Sequence, residues 1–295
     1  MPRSNKSSPS HPDLFGNNAD IIVNSLLSAI RQQNLYETEQ LLKRLSREYP
    51  HHSRLSGFQQ LLQAQKKLKT PVEDIQHDLN ELRDIIHPLA SKLLGTEAPG
   101  YLAPLWQRLA QALTGQRFDS ENPQRHCSFV YSKALDWVGV REAIESESDW
   151  YQYPALAVRL AKALYFLNEL ENATEIWFYL FWQFPAEAEA AIEDSENPNV
   201  TLRNRWHIFE DMADQMKPTS FPAWMLLTDS RLIDYSFNYH LPVSSIHGKN
   251  YHALQQLLLL KLSNMKKTRE LDLRKLLKQT EPKLLKWYLK NKPKL

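Results

Sequence analysis

His207, Asp211 and Asp214 stand at i, i+4 and i+7 in RNRWHIFEDMAD, one face of a helix carrying the donor types of a divalent-metal site. The same face carries Arg203 one turn earlier, and a row of solvated ion pairs accounts for the pattern equally well. His126 and Cys127 are the residue types of a base and its nucleophile. Neighbours on a helix diverge by about 100°, so adjacency makes no dyad. The pair reads as a helix-start histidine beside a buried thiol. His240, His247 and His252 span a loop-like stretch with no carboxylate at matching spacing, and His51-His52 follows a proline corner. No G-x-x-x-x-G-K, H-E-x-x-H or G-x-S-x-G signature occurs. The chain is therefore read as a non-enzyme with no cofactor and no metal.

A second chemistry is electrostatic. Lys266, Lys267, Arg269, Arg274, Lys275, Lys278, Lys283, Lys286, Lys290 and Lys292 interleave with Leu271, Leu276, Leu277, Leu284, Leu285, Trp287 and Leu289. Three readings stay open for this segment. It forms capping helices with a solvated lysine face, it docks on an acidic surface, or it contacts nucleic acid or an anionic membrane. From Arg141 to Val200 the balance reverses, with twelve acidic residues against three basic; from Tyr251 to Leu295 twelve basic residues face three acidic. The net charge of +2 conceals this polarity.

The elements that must position these residues are helices. Seven glycines disfavour a sheet-rich fold of tight turns, and seventeen prolines mark corners. One cysteine rules out an intrachain disulfide. The first twenty residues hold no apolar signal segment, so the protein is expected to be soluble and cytoplasmic. Residues 1–18 read as a disordered tail and 19–115 as a helical region. A corner follows at 116–126, an aromatic-rich acidic helical region at 127–248, and basic helices at 249–295. Thr70, Pro71 and Glu73 read as the capped start of a helix whose apolar face runs from Val72 to Leu89, with a break or kink at Pro88. DSENP occurs twice, at Asp119–Pro123 and Asp194–Pro198, either as a diverged duplication or as shared turn chemistry.

The stretch ENATEIWFYLFWQFP, Glu171–Pro185, is too short for a membrane span. As a helix it places Ala173, Trp177, Leu180, Phe181 and Phe184 on one broad stripe, packed on two sides. Counting back from Pro185, roughly 34 residues resemble a tetratricopeptide repeat. Leu160 and Ala161 match the family's first-helix contact positions, Ala173 its close helix–helix contact, Trp177 its aromatic position and Pro185 its closing proline. Leu164 and Leu180 depart from the family's tyrosine and alanine. A second, fainter copy ends at Pro50, with Thr38 and Glu39 where the small contact residue belongs. The resemblance implies all-α hairpins stacked as an α-solenoid-like array, or two packed helical units, that bind peptides or proteins. The expected function is a protein-interaction scaffold whose acidic face meets a partner with a basic surface. The alternative is a nucleic-acid-associated or anionic-surface-binding protein acting through the basic C-terminal segment.

Overall fold

The computed structural model describes residues 14–212, 216–235, 237–239, 241–242, 245–263 and 267–290. The fold is all-α, with no strand among the described residues, and no described helix is long and apolar enough to cross a membrane. Most of the expected N-terminal tail, residues 1–13, lies outside the described part, and the first helix already begins at Leu14. The chain divides into two units, one of residues up to Gln116 with Lys133–Leu135, the other of Arg117–Ser132 with Asp136 onward.

The first unit holds α1 (Leu14–Arg31), α2 (Leu35–Glu48), α3 (Leu55–Lys67), α4 (Ile75–Glu81), α5 (His87–Leu94) and α6 (Ala98–Leu113). Sequence neighbours pack on one another, α1 on α2, α2 on α3 and α5 on α6. Ile22, Leu26 and Ile30 recur at helical spacing and are buried, as are Leu45, Phe58, Leu61 and Trp106. Thr70 does not cap a helix. Its hydroxyl turns back to the Lys67 carbonyl, and Asp74 caps α4 by accepting the His77 amide at 2.9 Å. The carboxylate is the stronger acceptor for an exposed helix-start amide. The expected break at Pro88 takes the form of a π-helical turn over Leu82–Ile86, in which the His87 amide reaches back to the Leu82 carbonyl. Proline removes one helical donor, and the wider turn absorbs the lost step. In α6, Pro104 leaves the Gly100 carbonyl without its helical donor, and Gln33 Nε2 approaches that oxygen at 3.4 Å.

The second unit holds α7 (Cys127–Lys133), α8 (Trp137–Glu145), α9 (Pro154–Phe166), α10 (Leu170–Gln183), α11 (Pro185–Glu193), α12 (Val200–Met212), α13 (Phe221–Thr228), α14 (Ile246–Ser263), α15 (Lys267–Thr280) and α16 (Pro282–Lys290). Helix α9 packs along α8 and α10, and α10 also meets α11, α13 and α14. Surrounded in this way, α10 is buried without interruption from Glu175 to Trp182. Its aromatic residues serve two faces. Phe181 packs on Phe221 and Trp206 (centroids 4.8 and 5.0 Å apart), while Phe178 and Trp182 pack on Tyr251, both at 5.4 Å. Leu160, Ala161, Ala173, Trp177, Leu180 and Phe181 are all buried. Phe184 departs from the expected stripe: it is half-buried and forms the non-helical C-cap ahead of Pro185. The residue before a proline is pushed out of the helical region.

Three helix–helix corners share one geometry. Gln33, Leu135 and Asn168 are the described non-glycine residues with positive φ, at 54°, 59° and 62°. The amide of the next residue then reaches a carbonyl five positions back: Asn34 to Ala29, Asp136 to Tyr131 and Glu169 to Leu164, at 3.0, 3.0 and 2.8 Å. Helices α2 and α10, each of 14 residues, end on aromatic C-caps of nearly equal angles, Tyr49 (φ −138°, ψ 65°) and Phe184 (φ −133°, ψ 59°). Thr38, at the faint copy's contact position, is fully buried, and its hydroxyl donates to the Asn34 carbonyl at 2.8 Å. The two DSENP corners also fold alike, the Glu121 and Glu196 amides donating to Asp119 and Asp194 Oδ1 at 2.9 and 3.0 Å. Both corners thus use the same aspartate turn chemistry, whichever origin the repeated pentapeptide has.

Candidate functional site

A cavity with convergent polar groups lies in the second unit, beside the second turn of α10. Glu175 is the one acidic residue of that helix turned inward, and it is 3% exposed. Its carboxylate pins the segment after α13. The Asn238 amide donates to Oε2 at 2.7 Å, and the Tyr239 amide lies 3.1 Å from each oxygen. Asn238 Nδ2 donates to Asn172 Oδ1 at 2.8 Å, and the Tyr239 hydroxyl donates to Glu145 Oε1 at 2.7 Å. Gln255 Nε2, on α14, secures the same connection at the Ile233 carbonyl, 3.0 Å away.

These ties leave a cavity of about 370 Å³, within the range of ligand-sized clefts. Helix α10 contributes Glu175, Tyr179 and Trp182 to its wall. Tyr235, Phe237 and Leu241 close a second side, and α14 supplies His252 and Gln255. Among the described residues, neither the buried Trp182 Nε1 nor the Tyr251 hydroxyl has a hydrogen-bond partner. Phe237 stacks on Tyr251 at 5.7 Å, which fixes the ring on that side.

The electrostatics are acidic. Burial raises the Tyr239 hydroxyl, and its hydrogen bond to Glu145 and the charges of Glu145 and Glu169 raise it further. Tyr235 is raised by burial and then by Glu171. Burial lowers His252 below its ordinary 6.5, against an opposing hydrogen bond with Gln255, so the ring is neutral at neutral pH. Four carboxylates thus act on one short segment. Arg141 offsets part of that charge through Glu169 at 2.7 Å and Glu145 at 4.0 Å.

The other candidate residues fall elsewhere. His207 Nε2 bonds to Glu193 at 2.9 Å, drawing it away from a set with Asp211, and Asp214 lies outside the described residues. Arg203 does not join an ion-pair row: its guanidinium binds the carbonyls of Ile192, Asp194 and Asn197 at 2.6–2.9 Å and closes the second DSENP corner. Among the described residues His77, Asp78 and Glu81 have ligand atoms within 4.8 Å of one another. Lys67 bonds both carboxylates and Arg108 binds Asp78 at 2.9 Å, so cations already occupy this cluster.

His126 gains the partners that the sequence did not show. Its Nδ1 lies 2.8 Å from Ser128 Oγ and accepts the Ser128 amide at 3.3 Å, which leaves the ring proton on Nε2, facing Glu147 Oε1 at 3.6 Å. Serine, histidine and carboxylate stand in the order of a hydrolase triad. Ser128 is 0% and His126 2% exposed, however, and Arg159 Nη1 already donates to Ser128 Oγ at 3.2 Å. Held between His126 and Arg159, Ser128 fastens the start of α7. Cys127 is buried beside it, with its thiol pushed up by burial.

Of the basic C-terminal residues, Lys266 lies outside the described part, and Lys267 opens α15. Arg269, Lys275, Lys278, Lys283, Lys286 and Lys290 are exposed on α15 and α16. Arg274 turns inward to Glu270 at 2.5 Å and sits 6.0 Å from the Tyr288 ring. Leu277, Leu284, Leu285 and Tyr288 of the same helices are buried in the core of the second unit, so the segment is part of that fold.

Sequence reasoning passed over Glu175, whose signal was its place on one helix face with the aromatic Phe178, Tyr179 and Trp182 at i+3, i+4 and i+7. Comparison with protein-family models, with curated proteins and with solved structures found no match for this chain.

Proposed function

We propose that the chain is a cytoplasmic, non-catalytic interaction scaffold of helical hairpins, resembling tetratricopeptide repeats, whose second unit receives a partner with a basic surface. The observation that carries this reading is the buried Glu175 in an aromatic-walled cavity, with Glu145 and Glu169 acting on Tyr239 and Glu171 on Tyr235 in the segment that closes it. Three corners of equal geometry and two hairpins with equal closing caps support the repeat resemblance. The sealed state of Ser128 and His126 favours a structural over a catalytic use of the one triad-like cluster.

Arrays of lysine-rich, arginine-rich and glutamate-rich peptides, probed with the purified chain at low and high salt, test the proposal. Retention of the basic peptides alone, weakening as salt screens the charges, is expected. Equal retention of all three classes, or none, removes the reading.

A second reading has its own observation, the exposed lysines of α15 and α16 beside Leu271 (55% exposed) and Leu289 (43%). Such a face suits an anionic polymer or surface. Deleting the segment would expose the core that Leu277, Leu284 and Tyr288 fill, so charge reversal is the cleaner test. A gel shift that survives Lys275→Glu, Lys278→Glu, Lys283→Glu and Lys286→Glu together rules this surface out.

A further inference from the structure

We propose that the cavity beside Glu175 receives a single cationic side chain of the partner, a lysine or an arginine, with its charged head among the rings and facing the Glu175 carboxylate. The inference rests on the reading of a basic partner and adds the point at which that partner is gripped.

Three features select a cation over other occupants. The walls carry aromatic rings on two sides, Tyr179 and Trp182 from α10 and Tyr235 and Phe237 from the segment after α13. Aromatic faces present negative electrostatic potential, and cations within about 6 Å of a ring centre are attracted to it. At the base stands Glu175, whose two oxygens accept amide protons, contacts suited to an acceptor-only carboxylate. In the segment that closes the cavity, Glu171 outweighs Arg231 at Tyr235, and Glu145 and Glu169 outweigh Arg141 at Tyr239, while His252, held neutral by burial, adds no positive charge.

The size also fits. About 370 Å³ gives room for a long side chain with some hydration. An apolar occupant would fill the walls but leave the Glu175 carboxylate facing it at a desolvation cost. An anion would meet like charge.

The experiment reads the tryptophan indole N–H resonances of the full chain by ¹H–¹⁵N correlation spectroscopy, with the Trp182 signal assigned by Trp182→Phe. The probes are backbone-blocked lysine, backbone-blocked arginine, and blocked lysine acetylated on Nζ, which keeps the stem and removes the charge. The lysine and arginine probes are expected to shift the Trp182 resonance in a saturable way, and the acetylated probe to bind at least about tenfold more weakly. Glu175→Gln should abolish the shift. Tyr235→Leu, which keeps apolar area and removes one ring face, should weaken it several-fold and decides the matter if Glu175→Gln unfolds. Acetyl-lysine binding as well as lysine overturns the proposal, as does lysine binding unchanged in the folded variants. In either case retention of basic peptides on the array leaves the scaffold reading standing. If neither the cationic probes nor the basic peptides bind, both readings fall.

Discussion

Trp177→Ala tests whether the aromatic residues of α10 hold the second unit together. Trp177 is 2% exposed and lies in the continuous core that joins α9, α10 and α13. A buried aromatic side chain removes ~150–250 Å² from water, and at ~25 cal/mol/Å² this gives an upper figure of about 4–6 kcal/mol. Truncations of buried tryptophan cost ~3–5 kcal/mol once partial collapse of the cavity is included. The two routes agree near 4 kcal/mol, a large share of the ~5–15 kcal/mol that keeps a domain folded. In urea, with an m value of about 2 kcal/mol/M, the midpoint should fall by about 2 M. The assay is urea unfolding followed by far-ultraviolet circular dichroism and by tryptophan fluorescence. The fluorescence reports chiefly on the second unit, because every tryptophan of the chain except Trp106 lies there. Phe166→Ala is the control: Phe166 is 46% exposed and stacks on Trp137 at 4.3 Å, so about 1 kcal/mol is expected. A midpoint for Trp177→Ala within about 0.3 M of wild type, or a loss no larger than the control's, would refute the core reading.

The hairpin corners give opposite signs at neighbouring positions. Asn34→Ala and Asp136→Ala each remove a side-chain cap and should cost ~1 kcal/mol, whereas Leu135→Gly should stabilise by up to about 1 kcal/mol. Leu135 is 55% exposed with φ at 59°, so glycine relieves strain and gives up little burial; a lower melting point in that variant contradicts the argument. Stability should also depend on pH through His126, which burial and then the Arg159 charge lower from 6.5. A depressed histidine favours the neutral folded form, so its contribution is complete above pH 6.5 and is lost as pH falls through the folded value. His247 and His252, lowered by burial, act in the same direction. His126→Asn should therefore flatten, without abolishing, the fall in melting point on acidification. At Asp78, burial pushes the carboxyl up, but bonds from Arg108 and Lys67 outweigh it and hold the group below 3.8. Adding Mg²⁺ or Zn²⁺ should leave the first unit's melting unchanged, and a metal-dependent rise would show that those cations are displaced.

Local order in this chain was legible because it depends on short-range rules. The spacing of Ile22, Leu26 and Ile30, the stripe of Ala173, Trp177 and Leu180, and the aromatic-proline endings at Pro50 and Pro185 all report on one helix and its next neighbour. The burial of Trp177 follows from that stripe alone, since a helix apolar on most sides has to be covered. Capping was less legible where acceptors compete: Thr70 and Asp74 both suit a helix start, and only the folded geometry chose the aspartate. What tertiary structure alone decided is which distant groups share a volume. Glu175 meets the amides of Asn238 and Tyr239 more than sixty positions away, His126 meets Glu147 across two intervening helices, and Ser128 meets Arg159. Charge polarity was visible in composition, but whether a carboxylate faces water, a cation or a ring is set by packing. The sequence thus determines the helices and their buried faces, while the acidic aromatic cavity exists only because the chain after α13 folds back onto α10 and α14.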